Sequence, residues 1–267
     1  MTMPSTLALG AARGAIELKQ FFRERSSVVF TFAFPAVLLV LVGSIFDGDP
    51  IVGGVGGGQV LTASFAAAGI VSTSFVNLGT ALAVERDDGT LKRLRALPMP
   101  PVAFFLGKIV LVVVASLAEL ALLLAIGVLM FDVDLPSDPA AWATAAWLFA
   151  LGITACSLLG IAASSLARSA RSAGAMTTLP YTVLLFISGV YVPLQTLPGW
   201  MADVGALFPV KWLAQGFRAA LLPDHMAAQE PAGQWELGRV AVILALWCAG
   251  GLVLCLTTFR WRSSLTR

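Results

Sequence analysis

The chain is poor in charge and in the residue types that build most soluble active sites. Asp, Glu, Lys and Arg make up 12% of its 267 residues, and it contains one histidine, three cysteines and two tyrosines. Apolar residues make up 58% of the chain, and the mean hydropathy is +0.88. A soluble protein must cover its core with polar surface, so this composition excludes an ordinary soluble globular class. It predicts an integral membrane protein.

The scarce cysteines and the single histidine do not form a metal-binding or disulfide pattern. The cysteines lie inside apolar runs, where we expect small apolar packing residues, and His225 stands alone in a polar connection. Gly107 and Lys108 do not make a nucleotide-binding loop, because the earlier glycine and the following hydroxyl residue of that motif are missing. We therefore expect this chain to bind no metal and no cofactor.

Six apolar runs are long enough to cross a membrane. A helix rises 1.5 Å per residue, so about 20 mostly apolar residues cross the ~30 Å hydrocarbon layer. The runs are continuously apolar and do not alternate, which argues against a β-barrel. We predict an all-α integral membrane protein, a single domain over residues 1–267. The six predicted transmembrane helices are residues 28–46, 59–84, 109–131, 142–166, 173–194 and 240–259.

Lysine and arginine are concentrated on one side of this six-helix plan. Most of the 17 basic residues precede the first run, follow the last, or lie between the second and third or the fourth and fifth. The positive-inside rule then places both termini in the cytoplasm of a multi-pass cytoplasmic (inner) membrane protein. The same distribution shows no patch for nucleic acid and predicts contact with membrane lipids.

A helical period precedes the first run. Apolar residues recur on one face (Ala11, Ala15, Leu18 and Phe22), and polar residues occupy the other (Arg13, Glu17, Gln20 and Glu24). We expect residues 5–26 to form an amphipathic helix on the inner membrane surface, with its apolar face toward lipid. It either only anchors the first span or also contacts a partner.

The densest block of charge is residues 85–101, between the second and third runs. Acidic residues stand near its start and basic residues toward its end, which are the signs that a helix dipole favours. Leu91, Leu94 and Leu97 share one side, and prolines then prevent continuation. We predict a short, rigid cytoplasmic helix that contacts another molecule; the alternative is an ordinary positively charged loop.

Prolines also interrupt an apolar segment between the fifth and sixth runs. Pro193, Pro198 and Pro209 break helices, yet the residues between them, Trp200 among them, are too apolar for a free loop. Short re-entrant helices over residues 195–218 on the outer side reconcile the two observations. The alternative is an interfacial loop with an aromatic belt.

Glu119 lies at the centre of the third run, where an acidic residue costs about 2.5–3.5 kcal/mol on insertion scales. One reading is a protonated or hydrogen-bonded carboxyl that bridges helices, with Asn77 or Tyr181 as its partner. The other is a residue that lines a transport pathway. Thr73, Asn77 and Thr80 share one stripe of the second run, which suits either helix packing or pathway lining.

Two groups of motifs resemble one family, the type-2 ABC exporter permeases. The first group resembles its coupling-helix signature: Glu85-Arg86, Gly89-Thr90-Leu91, Arg93-Leu94 and Leu97-Pro98. The second resembles its fifth-span exit and re-entrant outer helices: Ser188-Gly189-Val190-Tyr191-Val192-Pro193, Leu197-Pro198-Gly199-Trp200, Phe208-Pro209 and Arg218-Ala219. Phe208 departs from the family, in which many members carry asparagine at that point.

The resemblance implies a permease that dimerises, with itself or with a related half, and pairs with two copies of a separate ATPase that binds ATP and Mg. It implies that the residues coupling to the ATPase are Glu85, Asp88, Gly89, Thr90, Leu91, Arg93 and Leu94. Leu91 and Leu94 would form an apolar ridge, and the charged residues would set its register. It places Gly189, Pro193, Pro198, Trp200, Pro209 and Arg218 in the outer re-entrant region.

The predicted function is the permease subunit of an ATP-driven exporter, which is not itself an enzyme. The few charges in the spans favour a hydrophobic or amphipathic substrate, such as a drug, a natural product or a lipid. The alternative is a proton-coupled secondary carrier that uses Glu119, although inverted repeats and a richer intramembrane polar set are missing. A membrane-embedded enzyme is disfavoured because the sequence shows no Ser-His pair, Asp pair or metal-ligand cluster.

Overall fold

The computed structural model of the chain describes residues 5–46, 54–95, 100–167 and 169–258, and the regular elements in these ranges are helices. This confirms the all-α prediction. In chain order they are α1 (Thr6–Arg23), α2 (Arg25–Phe46), α3 (Gly57–Asp87), α4 (Thr90–Arg95), α5 (Pro101–Met130), α6 (Pro139–Leu166), α7 (Ala170–Ile187), α8 (Gly199–Ala206), α9 (Pro209–Leu221) and α10 (Leu237–Thr258). Single 3₁₀ segments, Leu194–Thr196 and Asp224–Gln229, precede α8 and follow α9.

Among the described residues, five helices are long and apolar enough to cross a membrane: α2, α3, α5, α6 and α10. They coincide with five of the six predicted spans. The remaining one, residues 173–194, corresponds to α7, which ends at Ile187 and is not among the five. The chain turns just beyond it at Gly189, whose φ of +76° lies in the region that favours glycine. A membrane crossing by α7 stays a prediction.

Helix α3 is the centre of the bundle and packs against α2, α5, α6, α7 and α9. In its most apolar stretch 61% of the residues are buried, against 22% in α2 and in α10, so α3 lies inside and the other two lie at the periphery. Its middle runs Ala66-Ala67-Ala68-Gly69, and such small side chains let neighbouring backbones approach closely. The core therefore forms around α3.

Helix α1 lies where an amphipathic helix was predicted over residues 5–26. The Ser5 side chain caps its first turn by accepting a hydrogen bond from the Ala8 amide. It packs along α5 through Gly10 and Gly14. We expected Arg13 and Glu17 to lie on its outward polar face, but Glu17 is 4% exposed and both carry ion pairs within the protein. The outward-facing side chains include several large apolar ones (Leu7, Ile16 and Phe22).

The single helix predicted over residues 85–101 is divided in the structure. Helix α3 continues through Asp87, Gly89 turns the chain with a φ of +78°, and α4 occupies only Thr90–Arg95. Leu97 and Pro98 lie outside the described residues, as do Arg168 and the basic residues after residue 258. Pro101 begins α5 as its first residue, a position where the missing N–H has no helical partner to lose.

The segment predicted to lie on the outer side, residues 195–218, contains α8 and all but the end of α9. Pro198 directly precedes α8, and Pro209 is the first residue of α9, so each proline starts a helix. Helix α9 is buried along nearly its whole length between α3, α6 and α10. Trp212 is 2% exposed on α9, while Trp200 on α8 is 64% exposed, so the two do not form a shared aromatic belt.

The crossing of α3 and α6 depends on glycine. A side-chain carbon built at Gly160 would lie 2.8 Å from the Phe75 carbonyl oxygen and 2.9 Å from that of Ser74. We expect Gly160→Ala to push the helices apart and to lower the free energy of unfolding by about 1–3 kcal/mol. Thermal unfolding in detergent measures the change. Gly250→Ala is the matched control because a side chain there meets no atom within 4 Å; equal unfolding temperatures for the two variants would contradict the prediction.

Candidate functional site

The turn that carries α4 is fixed by its own side chains. The Thr90 amide donates to Asp88 Oδ1 at 2.8 Å, and an Arg93 guanidinium nitrogen donates to Thr90 Oγ1 at 3.2 Å. Slight burial acts to raise the pKa of Asp88, but the hydrogen bonds from Thr90 and the charge of Arg93 outweigh it, so the pKa lies below its ordinary value. Asp88 therefore stays charged and holds the first turn of α4 in place.

Leu91 and Leu94 do not form the shared outward ridge that we expected. Leu91 is 1% exposed and belongs to the core of this chain, whereas Leu94 is only partly buried at the edge of that core. Among the side chains of α4 that the structure describes, those of Lys92 and Arg93 are exposed. Leu91 therefore attaches α4 to the bundle, and a partner can reach Leu94 and the two basic residues.

Glu85 also points into the protein. Together with Arg13, Glu17 and Lys108 it forms a cluster that we call the ion cluster. Lys108 Nζ lies 2.5 Å from Glu85 Oε1 and 2.8 Å from Glu17 Oε2, and Arg13 pairs with Glu17. The Lys108 side chain is 3% exposed. The ion cluster joins α1, α3 and α5, so Glu85 fixes internal geometry and is not free to set the register of a partner.

The last two charged residues of α3 hold the corner between α6 and α7. Two Arg86 nitrogens donate to the carbonyl oxygens of Ser164 and Ala167, each at 2.6 Å, and the Ala170 amide donates to Asp87 Oδ2 at 2.5 Å. A cation thus meets a helix C-terminus and an anion meets a helix N-terminus, as the helix dipoles favour. These contacts were not predicted from the sequence, in which the opposite charges of Arg86 and Asp87 were the only indication of them.

In the bundle interior, Glu119 is 1% exposed and accepts a hydrogen bond from Thr73 Oγ1 at 2.7 Å. Among the described residues its other oxygen, Oε1, has no hydrogen-bond partner. It lies beside Gly69, where a built side-chain carbon would be 2.8 Å from it. The partner of Glu119 is therefore Thr73, and the expected partners, Asn77 and Tyr181, bond elsewhere.

Asn77 and Tyr181 make their own contacts between helices. Asn77 Nδ2 donates to Thr31 Oγ1 on α2 at 3.0 Å, and the Tyr181 hydroxyl on α7 donates to the Ala68 carbonyl of α3 at 3.1 Å. Thr80 lies 3.3 Å from the Thr177 hydroxyl on α7. The polar stripe of α3 thus links it to α2, α5 and α7, which is the pattern of helix packing.

A π-helical stretch, Ser72–Asn77, carries part of this stripe. One extra residue per turn widens the helix and rotates the following side chains, and such stretches are frequent at functional positions. Thr73, the second residue of the stretch, contacts α5, and Asn77, its last residue, contacts α2. The polar stripe can therefore reach two different neighbours.

At the other end of the bundle, Arg218 connects several segments. Two of its nitrogens lie 2.7 Å from Glu230 Oε1, and Nη1 donates to Ser64 Oγ at 3.1 Å and to the Gly189 carbonyl at 3.0 Å. Arg218 and Glu230 are each 6% exposed. Arg218 therefore joins α9 to α3, to the end of α7 and to Glu230, a residue that the sequence analysis did not single out.

A cavity of about 100 Å³ lies beside this arginine. Apolar side chains provide most of its lining, and Gly189, Pro193, Arg218 and Glu230 also border it. Of the predicted outer residues, the structure therefore brings Gly189, Pro193 and Arg218 together at one cavity, whereas Pro198, Trp200 and Pro209 are not part of its wall.

Lys211 lies on the buried α9 helix with its ammonium 3.6 Å from the centre of the Trp212 ring and 2.5 Å from Gln215 Oε1. Burial is the largest effect on this group and lowers its pKa to about 8, although Glu230 and Glu236 act in the opposite direction. Gln215 Nε2 in turn donates to the Trp235 carbonyl at 2.9 Å. The hydrogen bond from Gln215 joins α9 to the segment before α10.

The geometry above is that of a polytopic helical protein in which the short helix α4 is attached to the end of the bundle, and a comparison with known families identifies its family. A sequence profile described as "ABC-2 type transporter" matches residues 14–222. The chain belongs to the ABC-2 type transporter family. This confirms the resemblance and makes the chain a multi-pass membrane protein. The matched range of this ABC-2 chain includes α4, Glu119, Arg218 and the ion cluster except Arg13, and it ends before Glu230.

Two curated relatives are similar to this ABC-2 chain. Both carry the name "Probable multidrug ABC transporter permease YbhR", one from Escherichia coli K12 and one from E. coli O157:H7. Each is 26% identical over 159 residues, which is 58% of this chain and 42% of the relative. The chain thus matches less than half of the length of these relatives.

The ion cluster gives a prediction about stability. Lys108→Met would remove the cation that lies between two buried carboxylates, and an uncompensated buried charge costs about 3–5 kcal/mol. We expect a lower unfolding temperature in detergent and less monodisperse protein. Lys92→Met is the control, because this exposed lysine on α4 should change the free energy of unfolding by at most about 0.5 kcal/mol. The same unfolding temperature for both variants would refute the role of Lys108.

The Thr73–Glu119 contact gives a second prediction about stability. Thr73→Val removes the donor and leaves a buried acidic group without it, so we expect a loss of about 1–3 kcal/mol. Glu119→Gln keeps an acceptor for Thr73 and should unfold near the wild-type temperature. Thr178→Val, at an exposed position of α7, is the control. Unchanged stability of Thr73→Val together with altered transport would instead support a pathway role for Glu119.

Proposed function

We propose that this chain is the permease subunit of an ATP-driven exporter, powered by a separate ATP-binding subunit that docks on α4. The observation that carries the proposal is the placement of α4. It is a six-residue helix between α3 and α5, and two of its basic side chains, Lys92 and Arg93, are exposed. A connector between two spans needs only turn residues, whereas this one is a helix with a fixed start.

The way in which α4 is attached to the bundle would allow it to transmit force to α3. Leu91 anchors it to the core, Asp88 and Arg93 fix its first turn, and Glu85 holds the preceding residues in the ion cluster. A push on Lys92, Arg93 or Leu94 would therefore move α3 and would not only bend a loop. The resemblance of this segment to a coupling helix and the family of the chain support the same reading.

The assembly follows from the same proposal. Two permease halves, identical or related, would pair with two ATPase subunits, which would bind ATP and Mg and carry out the hydrolysis. Both termini would lie in the cytoplasm of an inner-membrane protein, and α7 would be the fifth of six spans. Leu179, Val183 and Phe186 support this role for α7, because they are large apolar side chains exposed along it. Lipid or the second half would cover them.

The exported substrate would be hydrophobic or amphipathic. The name of the curated relatives, which mentions multidrug transport, and the apolar lining of the outer cavity support this class. The alternative was a proton-coupled carrier that uses Glu119. Such a carrier needs its carboxyl to meet water, and here Glu119 is 1% exposed and bonded to Thr73. The exporter reading is therefore preferred.

A charge placed on α4 tests the docking proposal. We expect Leu94→Asp to insert and fold normally, because Leu94 lies at the edge of the core, but to lose co-purification of the co-expressed ATPase and ATP-dependent transport in proteoliposomes. Leu91→Asp should instead unfold the chain, since Leu91 is 1% exposed. Leu207→Asp, on the outer segment and 67% exposed, is the control that should retain the ATPase.

Two results would overturn the proposed function. One is wild-type association and transport by Leu94→Asp, which would make α4 an ordinary loop. The other is transport by the chain alone that follows a proton gradient and ignores ATP.

A further inference from the structure

We propose that the cavity beside Arg218 is a binding site for an uncharged amphiphile, a molecule with a hydroxyl-type head and a small apolar body. This site goes beyond the proposed function, because binding there requires neither ATP nor the ATPase subunit. The cavity has three properties that match such a ligand: an apolar wall, two polar atoms without partners, and charges that already cancel.

Most of the cavity wall is apolar. The end of α2, the start of α3 and the segments after α7 and α9 contribute to it, and its apolar side chains include Leu61, Leu194, Leu222 and Met226. The cavity volume is about 100 Å³. One water needs about 10–15 Å³, and an apolar cavity of about 150 Å³ binds benzene. The space therefore exceeds that of a single water and suits an apolar group slightly smaller than a benzene ring.

Two residues that border the cavity each have a buried polar atom without a hydrogen-bond partner in the part of the chain that the structure describes. One atom is the acceptor Glu230 Oε2, and the other is the donor Trp235 Nε1. Buried polar groups without partners are costly and uncommon in folded proteins. A hydroxyl group is both a donor and an acceptor, so a ligand with a hydroxyl-type head matches this pair of residues.

The charges at the cavity already cancel. Among the described residues that border it, the charged ones are Arg218 and Glu230. Each of the three Arg218 nitrogens has a partner: Nε and Nη2 contact Glu230 Oε1, and Nη1 donates to Ser64 Oγ and to the Gly189 carbonyl. A charged ligand would therefore add an uncompensated charge to a buried ion pair. An uncharged head is favoured over a carboxylate, a phosphate or an ammonium group.

Photolabelling of the purified full chain tests the site. The probe is a short aliphatic alcohol that carries a diazirine, and mass spectrometry locates the label. We expect the label on residues that border the cavity, such as Tyr191, Met226 and Glu230. Val60→Phe places a larger side chain at the cavity wall and should reduce this labelling about tenfold. Val242→Phe, at an exposed position of α10, is the matched control and should label as the wild type does.

A label that is spread over exposed apolar residues, without enrichment at the cavity, would overturn the proposal. It would show that the cavity holds at most water.

Competition against the probe by molecules of similar size tests the uncharged head. We expect hexanol to displace the probe, and hexanoate, hexylammonium and pentyl chloride to be at least about tenfold weaker. Equal displacement by hexanoate would indicate an anion site at the start of α3, where Gly57 borders the cavity. Equal displacement by hexylammonium would indicate a cation site at Glu230, and equal displacement by pentyl chloride would indicate a purely apolar site. Each of these three results would overturn the proposal.

Trp235→Phe tests the donor with little change of shape. It removes the indole N–H, so we expect the affinity for hexanol to fall about three- to tenfold and the affinity for pentyl chloride to stay unchanged. Trp200→Phe is the matched control, since Trp200 is 64% exposed on α8 and does not border the cavity. Wild-type affinity for hexanol in folded Trp235→Phe would contradict the assignment of the head group to this donor.

A free small molecule and a neutral lipid can both supply this chemistry. Displacement of the probe by dioctanoylglycerol as well as by hexanol would identify the head of a neutral lipid as an occupant, and displacement by hexanol alone would identify a free small molecule. All of these measurements are made without the ATPase. A failure of the docking proposal at α4 would therefore leave them unchanged, and a failure of ligand binding would leave the docking proposal unchanged.

Discussion

Close packing around α3 is the constraint on which the rest of the structure depends. Lipid is as apolar as leucine, so burial of apolar surface does little to bring membrane helices together, and close contact with interhelical hydrogen bonds must do so. Helix α3 supplies both. Its alanines and glycines let α5, α6 and α9 approach, and Thr73, Asn77 and Thr80 form hydrogen bonds with α5, α2 and α7 respectively. Both candidate functional regions lie at the ends of this one helix.

Consecutive charged residues lie at the end of α3 that leads into α4. Glu85 joins α1 and α5 through Lys108, Arg86 and Asp87 hold the α6–α7 corner, and Asp88 starts α4. Most of the charged side chains that made this segment conspicuous in the sequence therefore make contacts within the protein. The few that remain exposed define what a partner can contact, and a force on them passes into several helices at once.

At the opposite end, Ser64 of α3 meets Arg218 of α9, which also binds Glu230 and the Gly189 carbonyl. Helix α9 is buried on almost every side, so this arginine fixes an inserted helix and does not close a mobile loop. The described cavity opens beside the same contacts. A displacement of α3 at one end would thus reach the cavity at the other through continuous packing.

Local properties of the sequence determined the helical class, most of the spans, the presence of a helix before the first span (α1) and the breaks before α8 and α9, because length, apolar continuity and proline act within a few residues. The tertiary structure decided where the polar groups point. Glu119 bonds to Thr73, 46 positions away, and Arg86 bonds to Ser164, 78 positions away. Leu91 turned inward because the core closes around it, and α7 is shorter than its apolar run because Gly189 turns the chain. Such contacts depend on how helices cross, and helix crossing is set by side chains that no local pattern brings together.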